Sequence, residues 1–182
     1  RNMLTEDIEL FVYIQYLFFK QWDALKLYIN QLGIEIIGDL PIYVALDSAD
    51  VWAESSFFQL DEENYPVAVS GVPPDYFSED GQLWGNPLYD WDAMKADGYK
   101  WWIRRIKGAS KLFDVIRIDH FRGFDEYWSV PAGDTTARNG KWCPGPGMDL
   151  VGLLKEKFSN IEFIAEDLGQ PSRTVFKLLQ DS

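Results

Sequence analysis

Three acidic residues each close a short apolar run: Asp39 after 34–37, Asp119 after 115–118 and Glu166 after 161–165. If the runs are parallel strands, their carboxyl ends share one face. Ligands sit on that face in open α/β sheets and in (β/α)₈ barrels. Strand side chains alternate, so Val115, Arg117 and Asp119 point one way, as do Glu162, Ile164 and Glu166. An arginine held beside Asp119 keeps that carboxylate ionised, as a nucleophile must be. A second carboxylate on a neighbouring strand, able to hold a proton, completes the parts of a glycoside-cleaving site. One group attacks the anomeric carbon and the other protonates the leaving oxygen. The same residues also fit caps of the helices that follow, or a structural ion pair in an unrelated α/β protein. Spacing alone leaves these readings open.

The elements that would carry these groups alternate. Apolar residues recur at helical spacing over 8–32, with Thr5 as N-cap and Gly33 as stop. A short buried strand is expected over 34–39. From 40 to 97 prolines and glycines dominate, and the segment reads as a long structured excursion. It holds a hairpin of 57–60 with 67–69 about the polar turn 61–64. A helix is expected from Tyr99 to Phe113, then the strand 115–119 and a loop to about Gly147. A short helix, capped by Asp149, spans 150–158, and a strand spans 161–165. A last helix opens at Gly169-Gln170-Pro171-Ser172. Strand–helix alternation predicts an α/β fold with parallel strands. Three strands cannot close a barrel, so a barrel reading makes this an internal segment of one. The first residue is Arg1, and the last helical pattern runs to the final residue, which we read as a piece of a longer chain.

The 182 residues carry a net charge of −12, which repels phosphate backbones and anionic membrane surfaces and argues against nucleic-acid binding. The most apolar stretch, 10–19, is too short for a membrane span. Cys143 and His120 are each single, so neither an internal disulfide nor a zinc site of the usual ligand types is expected. The cysteine usage suits a reducing, cytoplasmic compartment. No dinucleotide motif is present: residues 145–150 hold Leu150 where a third glycine is needed. Neither a metal nor an organic cofactor is called for. Aromatic residues make up 16% of the chain, more than a core needs, which suggests rings facing a sugar.

Five strings, in order, resemble the amylomaltases, the 4-α-glucanotransferases of the α-amylase clan. They are Ile37-Gly38-Asp39-Leu40-Pro41-Ile42-Tyr43-Val44, Gly71-Val72-Pro73-Pro74-Asp75-Tyr76-Phe77-Ser78, Gly81-Gln82-Leu83-Trp84-Gly85-Asn86-Pro87-Leu88-Tyr89, Val115 through Phe124, and Ala165-Glu166-Asp167-Leu168-Gly169. The resemblance implies the centre of a (β/α)₈ barrel, with residues 40–97 inserted over its mouth. It also implies Asp119 as nucleophile, Glu166 as general acid/base and Arg117 as the group that orients Asp119. His120 and Asp39 would contact the sugar. Tyr76, Gln82 and Trp84 would ride on a flexible loop covering the cleft. The partners implied are α-1,4-glucans and maltooligosaccharides. The family's third carboxylate, in a His-Asp motif on a later strand, has no match here. The segment alone is therefore expected to be inactive, and its open barrel edges to self-associate. Two rivals use the same features: an α-glucan hydrolase with water as acceptor, and a non-catalytic carbohydrate-binding module.

Overall fold

The computed structural model describes residues 4–167 and 172–182. Its chain order is α1 (Thr5–Gln31), β1 (Ile37–Pro41), α2 (Ala49–Ala53), β2 (Ala68–Val72), β3 (Gln82–Pro87), α3 (Trp91–Ala96), α4 (Lys100–Leu112), β4 (Val115–Asp119), β5 (Glu126–Pro131), β6 (Lys141–Pro144), α5 (Met148–Lys157), β7 (Glu162–Ala165) and α6 (Arg173–Asp181). The three expected strands form one parallel sheet in the order β1-β4-β7. Its register sets Asp39 beside Arg117, Pro41 beside Asp119, and Ile118 beside Ala165. The fold class is thus α/β, as the alternation predicts.

β1 starts later than expected. The amides of Asp114 and Val115 donate to the Ile36 carbonyl at 2.9 and 3.2 Å, and Asp114 accepts from Ile36 N–H at 2.9 Å. The α4–β4 junction thus holds Ile36 before the ladder begins. The strand is also not buried throughout, since Ile37 is 59% exposed. An apolar run cannot say how many of its faces are covered. Gly38 is the strand's buried position. A Cβ there would fall 1.9 Å from the Phe113 ring, so only a bare backbone lets that ring lie against the strand.

The largest departure from expectation is a second sheet, antiparallel, in the order β3-β2-β5-β6. It joins strands from the 40–97 excursion to strands from the expected loop at 121–147. The predicted hairpin of 57–60 with 67–69 is not a ladder. Ser55–Phe57 is a 3₁₀ turn, and one bridge joins Leu60 to Pro66. Asp61 closes the polar turn by accepting from Glu63 and Tyr65 N–H at 3.0 and 2.8 Å. The turn reading holds, but Val69 pairs with Pro87 and Val130 instead.

Two cap expectations also move, and Ser172 of the expected last-helix opening does cap that helix. Leu4, not Thr5, precedes α1. Gly147 caps α5, with Asp149 inside its first turn. Ser172 caps α6 by accepting from Val175 N–H at 3.3 Å. The rest of the expected helix opening, Gly169-Gln170-Pro171, lies outside the described residues.

The core is aromatic. Trp102, Tyr89 and Phe124 are buried, and their rings meet at centroid distances of 5.1 to 5.7 Å. Much of the aromatic surplus is therefore packing, with Ile116 and Ile118 of β4 facing the same cluster. α1 is the exception, because none of its described side chains is buried. It is tethered at its C-terminal half. Trp22 Nε1 donates to the Leu112 carbonyl at 2.9 Å, and Asp114 takes Lys26 at 3.1 Å and Asn30 at 2.9 Å. No helix among the described residues is long and apolar enough to cross a membrane.

Candidate active site

The parallel register delivers three carboxylates to one guanidinium. Arg117 Nη1 donates to Asp39 at 2.5 Å and to Asp119 at 3.1 Å, and its Nη2 lies 3.7 Å from Glu166. Each acid comes from a different strand: Asp119 ends β4 and Glu166 follows β7, but Asp39 lies in the middle of β1, which runs on to Pro41 rather than closing at Asp39 as expected. The planar fork of arginine can meet several carboxylates at fixed angles, which a lysine ammonium cannot. The bond to Asp39 contributes most to holding the Arg117 guanidinium more firmly protonated than usual, ahead of the charge of Asp39 and the contacts with Asp119.

The chain turns sharply after Asp119. His120 sits in the left-handed region, at φ 53° and ψ 46°, an uncommon conformation for a residue with a side chain. That turn aims the His120 amide at Glu166 Oε2, at 2.7 Å. The Phe121 amide donates to the Glu166 carbonyl at 3.1 Å, and the Glu166 amide to the Ile118 carbonyl at 3.0 Å. The acid after β7 is thereby fixed through main chain and side chain to the end of β4. Close packing at Gly123 supports the turn. A Cβ there would lie 2.6 Å from Ile42 Cδ1 and 3.3 Å from His120 Cδ2.

Beyond Pro41 the backbone leaves the sheet, and the carbonyls from Pro41 onward are met by side chains from other elements. Arg105 of α4 donates to the carbonyls of Pro41 at 2.6 Å and Ile42 at 3.1 Å. Tyr89 O–H donates to the Ile42 carbonyl at 2.7 Å, and Asn86 of β3 to that of Val44 at 3.1 Å. The segment that carries Asp39 is so bound to the strand that carries Trp84. The Trp84 ring stands edge-on to His120 at 4.7 Å and contacts Tyr43 at 6.3 Å.

A cleft of about 880 Å³ opens at this point, lined by Tyr76, Gln82, Trp84, Asp119, His120 and Glu166 among others. Asp39 and Arg117 do not line it and meet it through Asp119 and Glu166. Of the three residues expected on a flexible loop, only Tyr76 lies between strands. Gln82 and Trp84 belong to β3, where Trp84 Nε1 donates to Gln82 at 3.1 Å. The loop itself is a built turn. Asp75 accepts from Phe77 and Ser78 N–H at 2.9 and 2.8 Å, and Arg138 pairs with Asp80 at 2.6 Å. It presents Tyr76 and Phe77 almost wholly to solvent.

Sequence reasoning missed Arg122, Glu126 and Trp142, which also line the cleft. Glu126 and Trp142 arrive through the unexpected second sheet, and Arg122 through the 3₁₀ turn Phe121–Phe124 after β4. The available signal was the aromatic pair Tyr127-Trp128 and the further tryptophan at 142 in a segment read as loop. Among the described residues, no cluster of three or more histidine, cysteine or acidic groups has the geometry to hold a metal ion.

Burial pulls the His120 imidazole down to about 4, with the Arg122 charge adding to the effect. An unfolded histidine titrates near 6.5. As pH falls from about 6.5 to 4, the unfolded chain takes up a proton that the folded chain refuses, so stability declines over that window and is unaffected above it. In a full-length protein carrying this segment, thermal melts at pH 5 and pH 7.5 should therefore differ less for His120→Gln than for wild type. An equal difference in both would show that His120 is not held neutral.

The whole chain, residues 1–182, matches the model of the glycoside hydrolase 77 family, described as 4-alpha-glucanotransferase. It is 54% identical over 170 residues to a 4-alpha-glucanotransferase of Clostridium butyricum, covering 93% of this chain and 35% of that protein. It is 52% identical over 169 residues to one of Thermus thermophilus, covering 93% and 34%. The amylomaltase of Streptococcus agalactiae, solved in complex with acarbose, superposes with a TM-score of 0.88 at 48% identity over 92% of this chain and 34% of that one. The chain spans about a third of the length of the curated relatives it matches. With its three acids gathered on one arginine and its full length matched, this chain belongs to the 4-alpha-glucanotransferase family.

Proposed function

We propose that this chain is the central segment of the catalytic (β/α)₈ barrel of a cytoplasmic enzyme that moves α-1,4-glucan chains between maltooligosaccharides. The observation that carries this reading is the meeting of Asp39, Asp119 and Glu166 on Arg117 beside an aromatic cleft. Asp119 attacks the anomeric carbon while Glu166 gives its proton to the departing glucan oxygen, leaving a glucosyl ester on Asp119. Glu166, now a base, takes the proton of an acceptor 4-hydroxyl. That oxygen displaces the ester and re-forms an α-1,4 bond. Neutral His120 on the cleft wall holds one sugar hydroxyl, and Asp39, outside the lining but 62% exposed beside Arg117, reaches toward another. Tyr76, Phe77 and Trp84 cover the bound chain, and the exclusion of water favours transfer over hydrolysis.

A full-length protein carrying this segment, given maltotriose, should yield glucose together with longer maltodextrins. The 182-residue segment alone should give neither, because the family's third acid has no counterpart in it. Its exposed α1 side chains, including Leu10, Phe11, Val12 and Tyr13, should drive self-association visible by sedimentation. Glucose and maltose without chain lengthening in the full-length protein would instead mark a hydrolase. Turnover by monomeric segment would refute its incompleteness.

A further inference from the structure

We infer that Trp142, backed by Arg122 and Glu126, is the platform on which a glucose unit of the incoming acceptor chain stacks. This rests on the transferase reading and adds an acceptor-side binding residue to it. Trp142 stands on β6, in the second sheet, away from the strand ends that carry the acids. It is 38% exposed and lines the cleft together with Glu166. Because Trp142 lines the cleft, a sugar docking on its exposed ring would bury apolar surface.

Its surroundings fix its orientation. The Arg122 guanidinium lies over the ring at 4.2 Å from its centroid, and that arginine is ion-paired to Glu126 at 2.6 Å. The Trp128 ring meets Trp142 at 5.1 Å and 68°, and Trp128 Nε1 is anchored on the Ala137 carbonyl at 2.8 Å. A ring held by a cation and a second indole is pre-organised, so little side-chain entropy is lost when a flat ligand docks on it. Glu126 and Arg122 also line the cleft and offer an acceptor and a donor for sugar hydroxyls. A pyranose has an apolar C–H face and a rim of hydroxyls, and this trio matches both.

The side of the bond follows from the chemistry of Glu166. The group that protonates the leaving oxygen stands on the leaving-chain side, and the acceptor later occupies that same side. Arg122 is two residues beyond His120, whose amide holds Glu166 Oε2. The trio therefore continues the cleft from the acid/base.

The test uses a full-length protein with α-glucosyl fluoride as donor and either glucose or maltotriose as acceptor. Trp142→Leu should raise KM for maltotriose about tenfold, the size of one lost apolar ring contact. KM for glucose, too short to reach the platform, should change less than twofold. The rate of forming the glucosyl ester should also stay the same. Trp142→Phe, which keeps an aromatic ring, should raise the maltotriose KM only about threefold, and it serves where the leucine variant fails to fold. An unchanged maltotriose KM in both variants overturns the platform while leaving the transferase reading intact. So does an equal fall in ester formation and in transfer to both acceptors. Absence of any transfer in the wild-type protein overturns both.

Discussion

Replacing Asp119 with Asn in the full-length protein is expected to lower transfer by more than about 10⁴-fold, because an amide is a poor nucleophile. Arg117 Nη1 lies 3.1 Å from Asp119, and no other cleft-lining carboxylate shares that arginine except Glu166. Glu166→Gln should behave differently. With natural glucan it loses proton assistance, typically worth about 10²–10⁴-fold. With α-glucosyl fluoride the leaving group needs little protonation, so the ester still forms and then persists. Azide needs no base and should release the sugar as α-glucosyl azide from Glu166→Gln alone. Retained α-glucosyl azide from Asp119→Asn, with inverted β-glucosyl azide from Glu166→Gln, would mean that the two roles are reversed.

Arg117 gives the second large effect. Arg117→Met leaves Asp39, Asp119 and Glu166 facing one another without their shared cation, at positions fixed by the β1-β4-β7 register. A misplacement of about 1 Å at a reacting group costs on the order of 10²-fold. Ester formation from α-glucosyl fluoride should therefore slow by at least that much. The acid limb of the pH–rate profile should also move upward, since clustered like charges favour protonation. Arg117→Lys restores the charge but not the fork, and should recover only part of the rate. Full recovery by lysine would show that charge alone matters there. Stopped-flow measurement of fluoride release separates these outcomes.

How much of this was legible in the sequence depends on the range of the interactions. β4 was readable to the residue, because Val115, Ile116 and Ile118 are apolar around one charged position and both neighbours in the sheet are parallel. The convergence of Asp39, Arg117, Asp119 and Glu166 was readable for the same reason: parallel strands bring their carboxyl ends together whatever lies between them. β5 and β6 were not. β6 has only four residues, Lys141–Pro144, too few for a period to emerge. β5 pairs with β2, more than fifty residues earlier in the chain. Trp142 was lost with them. Gln82 and Trp84 carried a readable motif, but their place on β3 depends on the same non-local pairing. The left-handed turn at His120 was hidden as well, since nothing local marks a histidine for positive φ.

The central claim is that Asp119 forms the covalent bond to the sugar. Its most direct measurement is to let full-length Glu166→Gln react with α-glucosyl fluoride, quench in acid, digest, and locate the added mass by tandem mass spectrometry. One glucosyl unit on the peptide containing Asp119, absent when Asp119→Asn is added to the same protein, is the predicted result. A glucosyl unit on any other carboxylate, or rapid turnover with no trapped ester, would contradict it.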